Sequence, residues 1–106
     1  MTNDIHAAFY PGKTSLAPIL MLHGTGGDES DLLPIATFLF PEHPKLGIRG
    51  RVIQDGSNRY FIRRKDGSFD LDNLNQETDW LLDAIQQETA RYQLDVRQLI
   101  VLGFSN

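Results

Sequence analysis

Two runs of four apolar residues, Ile19 to Leu22 and Leu99 to Leu102, constrain this chain more than any other feature. Each is unbroken by a polar residue, and each ends against a glycine, Gly24 or Gly103, after one or no intervening residue. A strand with one wet face alternates, whereas a continuous short run suits a strand covered on both faces. Between the two lies a helical pattern. From Leu71, the residues Leu74, Leu81, Leu82, Ile85 and Tyr92 share one face, with Asp72, Glu77, Asp83, Gln87 and Glu88 mostly on the other. A strand, a long amphipathic helix and a second buried strand form the repeating unit of a parallel α/β sheet.

The other elements fit that class. "HAAFYPGKTS" predicts an edge strand ending in a Pro-Gly turn. "GTGGDESDLLPIATFLFP" starts as a glycine loop and becomes a helix, with Ser30 or Asp31 as N-cap, Pro34 in the first turn and Pro41 closing it. Asp28, Glu29 and Asp31 read as helix-start residues, Asp70 and Asp72 as cap or solvent residues. A short strand is expected near Leu46 to Ile48. Two Asp-Gly pairs flank Arg59 to Arg64, and that excursion reads equally as a hairpin or as irregular structure. No repeat or low-complexity linker divides the chain, so residues 1–106 read as one domain.

Composition excludes several classes of function. Ten basic and fourteen acidic side chains give a net charge of −4, without the positive field that drives nucleic-acid binding. No apolar run is long enough to span a bilayer, and "MTNDIHAAFY" lacks the pattern of a secretory signal, so the expected location is cytoplasmic. With no cysteine there is neither a disulfide framework nor a thiolate nucleophile. His6, His23 and His43 have no ligand spacing, and neither a metal nor an organic cofactor is expected.

Two motifs carry chemistry. "VLGFSN" begins as a Gly-x-Ser elbow would, with Gly103 making room for a sharp turn that exposes the Ser105 hydroxyl, although a plain strand-to-loop turn has the same three residues. "LHGTGGDESDL" lacks the third glycine of a dinucleotide fingerprint, since Glu29 stands there, and the Lys-Ser/Thr of a P-loop. An oxyanion loop fits it better. Backbone N–H groups after His23-Gly24 are free to face a developing negative oxygen, Thr25 being the expected donor and His23, Gly24 and Gly26 supporting the loop.

Together, "LMLHGTGGDESDLLPIA", "IRGRV", "RYFIRRKDGSFDLDNL" and "VLGFSN" resemble the phospholipase/carboxylesterase family of α/β hydrolases, close to its bacterial carboxylesterases and related to the acyl-protein thioesterases. The resemblance covers nearly the whole chain. It implies the N-terminal half of an α/β-hydrolase fold, a mostly parallel sheet flanked by helices and reaching the nucleophile elbow. It also implies Ser105 as nucleophile, with Thr25 and Asn106 lending oxyanion-hole N–H groups, and a small ester or thioester as substrate. The basic cluster in "NRYFIRR" by itself reads as a solvated face; the resemblance implies instead that Tyr60, Phe61 and Arg63 border the acyl or alcohol pocket, with Arg63 or Arg64 fixing that segment through carboxylates such as Asp70, and burial separates the two readings. The triad Asp and His follow the serine in this family and are not among these residues. A second reading is a non-catalytic assembly module, whose open sheet is covered by a second copy or by the missing C-terminal half.

Overall fold

The computed structural model describes residues 5–104. Its principal element is a four-stranded sheet built from β1 (Ala7–Tyr10), β2 (Ile19–Leu22), β3 (Lys45–Ile48) and β6 (Ile100–Gly103), in the order β1-β3-β2-β6. Strand β1 runs antiparallel to β3 at one edge, and β3, β2 and β6 are parallel. This is a mixed sheet with helices on both faces, the α/β class read from the sequence.

Alternation along β2 divides the core in two. Ile19 and Met21 point to one face, where they meet Leu32 and Ala36 at α1 (Leu33–Leu39). Leu20 points to the other, where it joins Leu46, Ile48, Trp80 and Ala84 beneath α2 (Leu71–Arg91). Both faces are dry there, so β2 has no need of alternating polar residues.

The second apolar run differs from expectation. Val101 is 59% exposed and Ile100 is 37% exposed, because β6 is the outer strand of the described sheet and the helices lie over the middle of it. Helix α1 also begins later than its cap residues suggested. Its N-cap is Leu32, without a side-chain cap; the Asp28 carboxylate instead accepts the Ser30 N–H in an Asx turn, and Ser30 Oγ meets the Tyr10 hydroxyl at 2.6 Å. Pro34 falls in the first turn as expected.

Helix α2 is capped by Asp70, whose carboxylate accepts the Asn73 N–H, and carries Arg91 in its last turn. Its buried stripe is rotated from the predicted one. Trp80 and Ala84 form its centre, Leu81 and Ile85 flank it, and Leu82 is 55% exposed. Glu77 and Glu88, predicted on the wet face, are buried. Arg51 explains Glu77: its guanidinium makes two hydrogen bonds to that carboxylate, at 2.7 and 2.9 Å, and stacks 5.1 Å from the Trp80 ring. A carboxylate tolerates burial when a fork of donors meets it.

The first Asp-Gly pair makes a true hairpin, β4 (Val52–Gln54) with β5 (Ser57–Arg59). Asp55 and Gly56 have φ of 53° and 76°, the two positive values of a type I′ turn. The second pair makes only a tight turn, closed by a single bridge between Arg63 and Phe69.

Candidate active site

Strands β2 and β6 are in register from Ile19 opposite Ile100 to Leu22 opposite Gly103. Both therefore leave the sheet at its C-terminal edge, where open α/β sheets place their sites. The Phe104 N–H continues the ladder by donating to the Leu22 carbonyl at 3.3 Å. Phe104 also lies against Gly24, where an added methyl would stand 3.0 Å from its carbonyl oxygen and 3.1 Å from its ring. Gly24 is thus the residue that lets the loop after β2 touch the end of β6. Ser105 and Asn106 lie outside the described residues.

Residues Gly24 to Gly27 form a β-turn in which the Gly27 N–H donates to the Gly24 carbonyl at 3.0 Å. Gly26 has φ of 83°, the positive value that a type II turn requires at its third position. The Gly24 carbonyl has a second partner, His23 Nδ1, at 2.6 Å. Because that carbonyl can only accept, and because Nε2 of the same ring accepts the Gly50 N–H at 3.0 Å, the hydrogen bonds specify the Nδ1–H tautomer of His23. His23 is buried with both nitrogens engaged in holding the loop.

A trans peptide points its N–H away from its C=O. The Gly24 carbonyl is fixed inward by two donors, so the Thr25 N–H on the same peptide is turned outward. The Gly26 N–H donates to the Asn58 carbonyl at 2.8 Å, whereas no partner is recorded for the Thr25 N–H among the described residues, and Thr25 itself is exposed.

Tyr60 lies beneath this loop rather than along an open wall. It is buried, its ring stacks on His23 with centroids 4.5 Å apart, and its hydroxyl donates to the Ile48 carbonyl while accepting the His23 N–H. Burial, with the Glu29 carboxylate as a lesser cause, drives the Tyr60 phenol well above its ordinary pKa. Glu29 in turn pairs with Arg49 at 2.8 Å, and that hydrogen bond raises the guanidinium pKa further. Phe61 is half-buried and meets Phe69 edge-on. Arg63 does not pair with Asp70, which is committed to capping α2. Its guanidinium instead lies 4.6 Å over the Phe69 ring and donates to the Gly67 carbonyl. Asn58, absent from the sequence reading, bridges the hairpin to the glycine loop; nothing in its sequence context distinguishes it from an ordinary hairpin residue.

A cleft of about 360 Å³ lies at the opposite, N-terminal edge of the sheet, walled by Phe9, Pro18, Pro44, Tyr92 and Leu94. None of the site residues expected from the sequence lines it. Among the described residues there is no cluster of side chains able to hold a metal ion, and no helix is long and apolar enough to cross a membrane.

A mixed sheet with helices on both faces, and a glycine loop seated against the end of β6 at its C-terminal edge, defines half of an α/β-hydrolase fold. Comparison with known proteins makes the chain a homologue of hydrolases and carboxylesterases with that fold. It is 39% identical over 97 residues to "Putative hydrolase MhqD" of Bacillus subtilis (strain 168), a match covering 92% of this chain and 48% of that protein. Its structure superposes on that of YahD with malic acid with a TM-score of 0.93 at 44% identity, covering 97% of this chain and 52% of that one. For the Bacillus cereus carboxylesterase the TM-score is 0.92 at 35% identity, covering 98% and 50%. The chain thus spans about half the length of the relatives it matches. No family model matches it.

Proposed function

We propose that these residues form the nucleophile side of a serine hydrolase of carboxylesterase type, which cleaves a small carboxylic ester or thioester through an acyl-serine. The Ser105 hydroxyl attacks the carbonyl carbon, and a general base other than His6, His23 and His43 takes its proton. The N–H groups of Thr25 and Asn106 hold the oxyanion of the tetrahedral intermediate. That intermediate collapses with loss of the alkoxide or thiolate, which receives the proton, and water then releases the acid from Ser105.

The observation that carries this reading is the Leu22–Gly103 pairing, with Phe104 seated on Gly24. It supports an elbow that begins beside the loop whose Thr25 N–H is turned outward, with no partner for it among the described residues. Fluorophosphonate labelling of the longest polypeptide encoded with these residues, followed by peptide mapping, tests it. Modification at Ser105, lost in Ser105→Ala, is the expected result; labelling elsewhere or nowhere overturns it.

The exposure of Ile100 and Val101 favours a second reading, an assembly module whose open β6 edge is covered by a second copy or by the rest of a longer chain. Light scattering on the isolated 106 residues separates these: a concentration-dependent dimer supports cover by a copy.

A further inference from the structure

We propose that Asn58 is a positioning residue for the oxyanion loop, its side chain fixing the turn that aims the Thr25 N–H. This rests on the esterase reading above and names a residue on which that site depends. Asn58 grips the loop from two sides. Its backbone carbonyl accepts the Gly26 N–H at 2.8 Å, and its side-chain Nδ2 donates to the Gly27 carbonyl at 3.0 Å. The two peptide units that follow Thr25 and Gly26 are both committed, one to the hairpin and one to the turn itself. Gly27, so held, presents its N–H to the Gly24 carbonyl, and that carbonyl sets the plane of the Gly24–Thr25 peptide.

The chain of hydrogen bonds therefore runs from Asn58 through Gly27 and Gly24 to the Thr25 N–H. Gly26 and Gly27 have no side chains to hold the turn by packing, so polar contacts carry the restraint. The clamp sits on β5, two residues beyond the Asp55-Gly56 turn, and a rigid type I′ hairpin is a suitable mount for it. An oxyanion donor displaced by a fraction of an ångström still accommodates the planar substrate but loses the tetrahedral oxygen, so the effect falls on the chemical step.

The test uses the longest encoded polypeptide and compares wild type with Asn58→Ala, which removes the side-chain arm alone. The expected result is a fall in kcat of roughly 10- to 100-fold with KM within about twofold, and a parallel weakening of an alkyl boronate, which forms the tetrahedral adduct. Should Asn58→Ala fail to fold, Asn58→Asp keeps the shape, turns an acceptor toward the Gly27 carbonyl, and is judged by the same numbers. A kcat and boronate affinity within twofold of wild type overturns the proposal, as does a loss shared equally by kcat and KM with no change in boronate binding relative to ester. If wild type itself is not labelled at Ser105, the esterase reading fails and this inference with it; intact labelling with an unaffected variant overturns this inference alone.

Discussion

Gly103 lies beside Leu22 in the parallel ladder, and the N–H of the next residue, Phe104, donates to the Leu22 carbonyl. The two strands therefore end at one height and side by side. Residues about eighty positions apart in the chain become neighbours because both strands are short, apolar and parallel, and the Gly24 contact with Phe104 fixes how closely the loop after β2 approaches the end of β6.

None of the three histidines stands free beside the described end of β6, from which the proposed nucleophile Ser105 follows. His23 spends both nitrogens on the loop. His43 precedes β3 at the opposite edge, against Phe40. His6 precedes β1, which is three strands from β6, roughly 14 Å at the usual spacing. A polypeptide of these 106 residues alone is therefore expected to turn over p-nitrophenyl acetate slowly and without saturation, at the same rate after Ser105→Ala. Saturable turnover abolished by Ser105→Ala would show a base contributed in trans.

Trp80→Ala is expected to destabilise the protein by about 3–5 kcal/mol, since it empties the space beneath α2 and strips the Arg51 guanidinium of its ring. Leu82→Ala should lie within about 0.5 kcal/mol of wild type. Urea unfolding of the two variants measures both, and equal losses would return α2 to the face predicted from its leucines.

Arg51→Ala leaves the Glu77 carboxylate buried without its fork of donors and is expected to cost about 1–3 kcal/mol at neutral pH. Glu77→Gln, which keeps an acceptor for Arg51 and removes the buried charge, should cost less. A double-mutant cycle by denaturant unfolding reads the coupling; additive losses would mean that the pair contributes nothing beyond its separate members.

Alkaline pH should unfold the protein partly through Tyr60. Its pKa is raised on folding, chiefly by burial, so the folded chain holds the phenolic proton while the unfolded chain begins to lose it near pH 10. Above that point the unfolded state binds fewer protons than the native state and stability falls with rising pH; below it this contribution is constant. Tyr60→Phe should start less stable, having lost the bonds to His23 and Ile48, and should show a shallower decline above pH 10. Identical slopes for the two proteins would refute the linkage.

What the sequence revealed depended on how local the cause was. The strand at Ile19 to Leu22 was legible because burial on both faces leaves its mark on four adjacent residues, whereas the Asp55-Gly56 pair left hairpin and irregular structure open until the β4–β5 pairing decided it. The rotated face of α2 was not, because Glu77 is buried by a partner 26 positions earlier, Arg51, which no helical period registers. The cap at Leu32 escaped for the opposite reason: Ser30 and Asp28 satisfied each other locally and left the helix to start without them. In the candidate site, Gly24, Gly26 and His23 were signalled by their motif. Asn58 and the buried position of Tyr60 became visible only once β5 was laid across the loop.

The strand order has a consequence for the time course of folding. Strand β2 finds β3 after a modest loop, but its other edge stays bare until residues 100–103 arrive, after the hairpin and all of α2 have been made. Closing so long a loop before any contact rewards it is slow, and on a ribosome β6 emerges after every other described strand. The Leu22–Gly103 pairing should therefore be the last to form in the described sheet, with the glycine loop made early and waiting for its neighbour.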